Sequence, residues 1–248
     1  LDAATTADRN TAIGWQSMTA TTTGGYNTGV GDASLESNTT GGYNVAVGQG
    51  ALSQNTTGGN NVALGYAALD ANTTASNNTA VGKDALTDNT TGSDNNAFGK
   101  ASLANNTTGN YNDAFGVNAL NTNTTGSNNC AFGINSLTAA TTADNNSAFG
   151  YNALGANTTG AGNVAIGAYS LDASNSNNNV AIGLYAASDT TSGDNLVAVG
   201  RYALKDNTTG SGNVAVGLNA LEQNTTANNN TAVGTQALEA NTTGTANV

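Results

Sequence analysis

The chain has 248 residues, including 32 Gly, one Cys, no Pro and no His, and only 8% of its residues are charged. Its formal net charge of −11, from 16 acidic and 5 basic residues, argues against nucleic acid and anionic membranes as partners. A single Cys excludes a disulfide scaffold, and no apolar run approaches the ~18 residues that a membrane-inserted helix needs.

One phrase, Asn-x-Ala-Val-Gly-x-x-Ala-Leu-x-x-Asn-Thr-Thr-Gly-x-x, fills the chain in fourteen copies. A fixed period of this size is typical of a solenoid or fibre. The interval from Gly167 to Gly183 is one residue short, and all other intervals between the repeated glycines are seventeen residues. These glycines define position 0 of each copy and are Gly14, Gly31, Gly48, Gly65, Gly82, Gly99, Gly116, Gly133, Gly150, Gly167, Gly183, Gly200, Gly217 and Gly234.

The first predicted element of each copy is a short strand that ends at the glycine. Position −1 is always large and apolar, as in Val47 and Phe98, and position −2 is Ala in thirteen copies. A second short strand is predicted around positions +3 and +4, which read Ala or Ser followed mostly by Leu. A helix is excluded because the residues between glycine and Asn-Thr-Thr-Gly are fewer than the ~12 of a stable helix.

Turns complete the copy. Asn-Thr-Thr-Gly at positions +7 to +10 has turn composition, and Asn at position −4 recurs in thirteen copies. We expect the Asn at −4 to form a ladder that closes a turn and satisfies buried polar groups. The sequence therefore predicts an all-β fold, a repetitive parallel β-roll or β-solenoid of about 14 coils of 17 residues. Residues 1–248 are expected to form one uninterrupted array without capping units, an excerpt of a longer fibre.

Neighbouring residues of a strand face opposite sides, which predicts where each column of side chains points. The strict Ala at −2 indicates a cramped interior, and the large residues at −1 and +4 are then expected to face outward. The opposite arrangement, with Val and Leu filling a wider core and Ala outside, stays open. An outward apolar stripe would be buried against identical chains, which favours a homotrimer. The four Phe, all at −1 in successive copies, predict an aromatic stack.

Catalytic residues, cofactor-binding residues and metal ligands are not expected, because the chain lacks His and a repeated carboxylate pair. Isolated acids such as Asp94, Asp113 and Asp194 could bind calcium, but the calcium-binding nonapeptide of β-rolls is absent. The chain is therefore not expected to be an enzyme.

Three surface features suggest other roles. Thr at +8 and +9 suggests ice binding, although adjacent Thr residues face opposite sides of a strand. Tyrosines at +1 and +2 are candidates for surface recognition of a host glycan or protein, namely Tyr66, Tyr151, Tyr169, Tyr185 and Tyr202. Ten Asn-Thr-Thr sequons are candidate glycan acceptors, at Asn38, Asn55, Asn72, Asn89, Asn106, Asn123, Asn157, Asn207, Asn224 and Asn241.

The phrase Asn44-Val-Ala-Val-Gly48 followed by Ala51-Leu52 resembles the head repeats of trimeric autotransporter adhesins, and the longer unit from Asn61 is similar to phage tail-fibre shaft repeats. The resemblance covers nearly the whole chain, but the unit is longer than the one typical of those heads. It implies a trimeric parallel β-roll and a non-catalytic structural or adhesive fibre outside the cell, at the cell surface or on a virion.

Two alternatives remain beside the fibre: a glycan-decorated extracellular filament or matrix protein, and an ice-binding β-solenoid. Identical chains, in a homotrimer or a filament, are the expected partners, with a host-surface glycan or protein as a further one, and neither nucleic acid nor membrane insertion is expected.

Overall fold

A computed structural model describes residues 3–248, which fall into two compact units, one up to Ser127 and the other from Asn128 to Val248. Each copy of the repeat contributes one strand of three residues, and the strands of each unit pair in parallel. The first unit contains β1 (Thr11–Ile13), β2 (Thr28–Val30), β3 (Val45–Val47), β4 (Val62–Leu64), β5 (Thr79–Val81), β6 (Asn96–Phe98) and β7 (Asp113–Phe115). The second contains β8 (Cys130–Phe132), β9 (Ser147–Phe149), β10 (Val164–Ile166), β11 (Val180–Ile182), β12 (Val197–Val199), β13 (Val214–Val216) and β14 (Thr231–Val233).

The strands pair in repeat register, so that each column of the repeat becomes a column in space. Ala46 of β3 pairs with Ala63 of β4, and Ala181 of β11 pairs with Ala198 of β12. The all-β, parallel β-solenoid prediction is confirmed, with a coil of about seventeen residues.

The predicted second strand at Ala-Leu is wrong. These residues form turns, because the residues at +2 and +4 lie in the left-handed region, with φ of 51° at Ala67 and 53° at Leu69. An extended strand requires negative φ throughout. For a residue with a Cβ, left-handed φ costs about 1–2 kcal/mol. Packing of the Leu side chain in the interior is what offsets this cost.

The Leu column faces inward, which corrects the expectation that position +4 is outward. Leu52, Leu103 and Leu204 are fully buried, as are the Ala or Ser residues that precede them. Side chains at +3 and +4 can share the interior because the left-handed turn breaks the alternation of a strand. The expectation that −2 is inward and −1 outward is confirmed: Ala46 is buried and Val47 is exposed. The opposite arrangement, with Val and Leu in the core and Ala outside, is right for the Leu at +4 and wrong for the Val at −1 and the Ala at −2.

Backbone hydrogen bonds run alternately to the coil before and the coil after. The amide of Gly65 donates to the carbonyl of Val47 in the preceding coil (2.9 Å), and that of Val62 donates to Asn78 in the following coil (2.8 Å). The buried turn takes part as well, since the amide of Leu52 donates to Ala68 (3.0 Å). Because each coil supplies acceptors for both neighbours, backbone groups are satisfied without regular sheet on every side.

The Asn at −4 forms the predicted ladder in the interior. The side-chain carbonyl of Asn44 accepts from the backbone amide of Asn61 (3.0 Å), and that of Asn61 accepts from the amide of Asn78 (2.9 Å). The amide group of Asn61 also donates to the carbonyl of Ala75 (3.0 Å) in its own coil. Each of these Asn side chains therefore joins two coils and closes its own.

In the short coil between Gly167 and Gly183, a side chain replaces a main-chain acceptor. The Thr at +8 elsewhere donates its amide to the Thr carbonyl of the next coil, as Thr56 does to Thr73 (2.8 Å). Thr158 and Thr159 instead donate their amides to Oδ1 of Asn175, at 3.1 and 2.9 Å. The coil loses one turn residue, but its register with the preceding coil is kept.

The repeated glycine is required by close approach between coils. A Cβ on Gly65 would stand 2.4 Å from the carbonyl oxygen of Gly82, and the φ of Gly65 is +144°.

We expect Gly65→Ala to destabilise the fold by at least about 2–3 kcal/mol, measured by denaturant unfolding. Gly50→Ala is the matched control, because a Cβ there meets its nearest atom at 3.9 Å and Ala67 occupies the equivalent place. Its effect should stay at about 1–2 kcal/mol, the cost of left-handed φ alone, because Gly50 has φ +68° but no clash. Equal effects of the two substitutions would contradict this account.

Candidate functional site

The outward side of the strands is the most distinctive surface. In β2 to β14 the middle residue is buried, so the residues at −3 and −1 point outward together, and we call this surface the sheet face. Its −1 side chains are large, and Ile166 and Ile182 remain 41% and 37% exposed. An outward column of large apolar side chains at −1 thus follows from the strand sequence itself.

In the second unit the sheet face has a wholly apolar part, because every outward residue of β10 to β13 is Val or Ile. Contiguous exposed apolar surface marks interaction sites in soluble proteins more often than isolated apolar residues do. We call the outward residues of β10 to β13 the apolar segment, and they are Val164, Ile166, Val180, Ile182, Val197, Val199, Val214 and Val216.

The Phe side chains stack along the sheet face, as predicted. Within the first unit the rings of Phe98 and Phe115 are 4.7 Å apart with an interplanar angle of 8°, and within the second those of Phe132 and Phe149 are 5.1 Å apart at 7°. The residues at −3 beside the rings are small or polar, namely Asn96, Asp113, Cys130 and Ser147. The sheet face is therefore aromatic in these coils and aliphatic in β10 to β13.

The candidate glycan acceptors lie in a second interior Asn ladder. The side-chain amide of Asn55 donates to Oδ1 of Asn38 (2.8 Å) and to the carbonyl of Gly58 (3.0 Å). A glycan on this nitrogen would replace a hydrogen that bonds inside the coil, and the folded interior has no room for it. Asn241 is half-buried. The fully buried ones are Asn38, Asn55, Asn72, Asn89, Asn106, Asn123, Asn157, Asn207 and Asn224.

The two Thr columns have different environments. The hydroxyl of Thr56 at +8 donates to the carbonyl of Thr73 in the next coil (2.9 Å), whereas Thr57 at +9 is exposed. Each such coil therefore presents one outward Thr rather than the two in alternate positions that a flat ice-binding lattice would use. The geometry does not favour the ice-binding alternative.

Four of the five candidate tyrosines come together in the second unit. Tyr169 and Tyr185 stack at 4.9 Å and 2°, Tyr185 and Tyr202 at 5.8 Å and 28°, and Tyr151 meets Tyr169 edge-on at 5.3 Å. We call these four residues the tyrosine column. Tyr66 lies in the other unit, with the Lys83 ammonium 5.5 Å from its ring centre. Sequence spacing did not predict that Tyr151 would join the other three. Tyr151 is at position +1 and the others are at +2, so side chains of two different columns have to lean towards each other.

Three basic side chains pair with the acid next to them in the chain, Arg9 with Asp8, Lys83 with Asp84 and Lys205 with Asp206. Lys205 lies 2.6 Å from Asp206, and this hydrogen bond is the main reason that the pKa of Lys205 is raised above its ordinary value. Burial raises the pKa of Asp172, which accepts a hydrogen bond from the side-chain amide of Asn152.

Within residues 3–248 there is no pocket and no group of three or more His, Cys, Asp or Glu that could hold a metal ion. The same residues contain no helix long and apolar enough to cross a membrane.

Comparison with known proteins adds no relative: no protein-family model, no curated protein and no solved structure matches the chain.

Burial of the sequons predicts the behaviour of the chain in a glycosylating host. Folded chain secreted from such cells should have its formula mass of 24.3 kDa, with Asn241 as the only sequon able to add to it. Intact mass spectrometry measures this. An unfolded peptide that spans Asn55-Thr56-Thr57, offered to the same glycosylation machinery, is the control that the sequon itself is recognised. Sugar mapped to any of the nine buried Asn in folded protein would contradict the interior ladder.

Proposed function

We propose that the protein is a non-catalytic structural and adhesive fibre that acts outside the cell, at the cell surface or on a virion, and that its sheet face is buried against identical chains in a homotrimer. The observation that carries this proposal is the apolar segment, which points outward from a filled interior with Ile166 and Ile182 exposed and its six Val half-buried. The resemblance of the repeat to adhesin heads and tail-fibre shafts supports the same function.

The energetics favour a partner that covers many coils at once. Complete burial of a Val or Ile side chain is worth about 1.5–3 kcal/mol, so the part still exposed in the apolar segment is worth roughly 0.5–1 kcal/mol per residue. The eight residues together give about 4–8 kcal/mol per chain. Association costs about 4–15 kcal/mol in lost freedom of motion. A short patch is thus marginal, whereas a repeated face accumulates burial with every coil.

Identical chains are a partner with matching geometry. Parallel copies have the same coil spacing, so a threefold arrangement sets each coil against its equivalents, Phe beside Phe and Val beside Val. Such an arrangement would explain why outward residues stay apolar on one side while the +9 Thr column, as at Thr57, stays polar and exposed. Adhesion would then be left to exposed side chains outside the sheet face, including Tyr66 and the tyrosine column.

The mass of the assembly in solution tests this proposal. Sedimentation equilibrium should give three times the chain mass of 24.3 kDa, and a monodisperse monomer would overturn the self-association. The double variant Ile166→Asp with Ile182→Asp places two charges on the exposed sheet face, and we expect it to shift the chain to monomer while its circular dichroism stays that of the folded protein.

The matched control carries the same charges elsewhere. Thr209→Asp with Thr226→Asp alters two exposed residues of the +9 column in adjacent coils and should leave the trimer intact. If both double variants dissociate equally, net charge rather than the sheet face governs assembly, and the assignment of the interface fails.

A further inference from the structure

The tyrosine column is a chemical feature that a structural fibre does not require. Its first pair differs from the others, because the ring of Tyr151 meets that of Tyr169 edge-on, with centroids 5.3 Å apart and an interplanar angle of 73°. Tyr169 and Tyr185 instead face each other as parallel rings. Tyr151 is 46% exposed and Tyr169 is half-buried, so a small diffusible oxidant reaches the pair.

The Tyr151 phenol also acts on its neighbour. The pKa of Tyr169 is raised above its ordinary value, first by desolvation and next by the nearby Tyr151 phenol. In a phenol ring the carbons that flank the hydroxyl-bearing carbon are the ones that couple after oxidation. Ring centroids 5.3 Å apart bring the edge of one ring against the other, so rotation of the side chains is enough to set an ortho carbon of each ring together.

We propose that Tyr151 and Tyr169 form an oxidative cross-linking site, at which a peroxide with a haem peroxidase joins the two rings as dityrosine. Each phenol loses one electron and one proton to give a phenoxyl radical. The radicals form a carbon–carbon bond between ortho carbons, and the hydrogens on those carbons move to the oxygens to restore both phenols. The two electrons and two protons released reduce one hydrogen peroxide to two waters, so the reaction balances.

The position of the pair gives the bond a structural consequence. Tyr151 follows Gly150 and Tyr169 follows Gly167, so the bond would join the ninth coil to the short tenth coil. This is the junction at which Asn175 supplies the acceptor for Thr158 and Thr159 in place of a main-chain carbonyl. A covalent link there closes a loop of the chain and restrains the unfolded state, as a disulfide does. The inference is independent of the proposed assembly, because both tyrosines belong to one chain.

The test uses the full chain with Cys130→Ser, so that thiol chemistry makes no contribution. Dilute protein is treated with peroxidase and hydrogen peroxide. We expect the single chain to lose the mass of two hydrogen atoms, to gain dityrosine fluorescence, and to unfold at a higher temperature. After proteolysis between the two residues, the fragments that carry Tyr151 and Tyr169 should remain joined.

Two conservative variants separate the site from general oxidation. Tyr169→Phe keeps the ring and the fold but cannot form the radical, and it should lose the joined fragment and the rise in unfolding temperature. Tyr66→Phe removes a more exposed tyrosine and should retain both. Undiminished cross-linking in Tyr169→Phe, or links found between chains only, would overturn the proposal.

Discussion

The structure depends on hydrogen bonds that join equivalent polar groups of successive coils and hold the coils in register. The side chain of Asn61 accepts from the backbone of one neighbouring coil and donates within its own coil, and its backbone amide donates to the Asn side chain of the other neighbour. A buried amide that loses such a partner costs about 1–3 kcal/mol. Any coil of different length therefore needs a replacement acceptor, as Asn175 provides in the short coil. The same close vertical spacing requires glycine at Gly65, where a side chain would meet the carbonyl of Gly82.

Because the ladder and the Leu turn occupy the interior, function is left to the outward columns. The interior of a coil is filled by Ala at −2, Ala or Ser at +3, Leu at +4 and two Asn side chains, as in the coil of Gly65. The outward columns vary in chemistry: Thr on one side, Tyr past the glycine, and Val, Ile or Phe on the sheet face. An apolar sheet face on such a coil gains burial in proportion to its length, which is the energetic basis for the proposal that the chain self-associates as a fibre.

Four features could be predicted, because each follows from a residue preference at one position of the repeat that fourteen copies display. They are the period, the parallel pairing, the inward Ala and the Asn ladder. The inward Leu could not, since alternation of facing sides assumes an extended backbone and Leu69 adopts left-handed φ. The sequons gave no sign of their burial, because Asn55 suits a solvated turn as well as an interior ladder. The contact of Tyr151 with Tyr169 depends on rotamers that bridge two columns, and spacing carries no information about them.

Residue-resolved amide hydrogen exchange tests these hydrogen bonds between coils most directly. The amides of Gly48, Gly65 and Gly82, which donate to the preceding coil, should be protected in every coil together with Asn44, Asn61 and Asn78, whose amides bond to a buried Asn side chain. The amides of Asp32, Gln49 and Lys83, for which the described part of the chain provides no acceptor, should exchange fast. The account predicts this alternation with a seventeen-residue period. Uniform protection, or a pattern with another period, would contradict it.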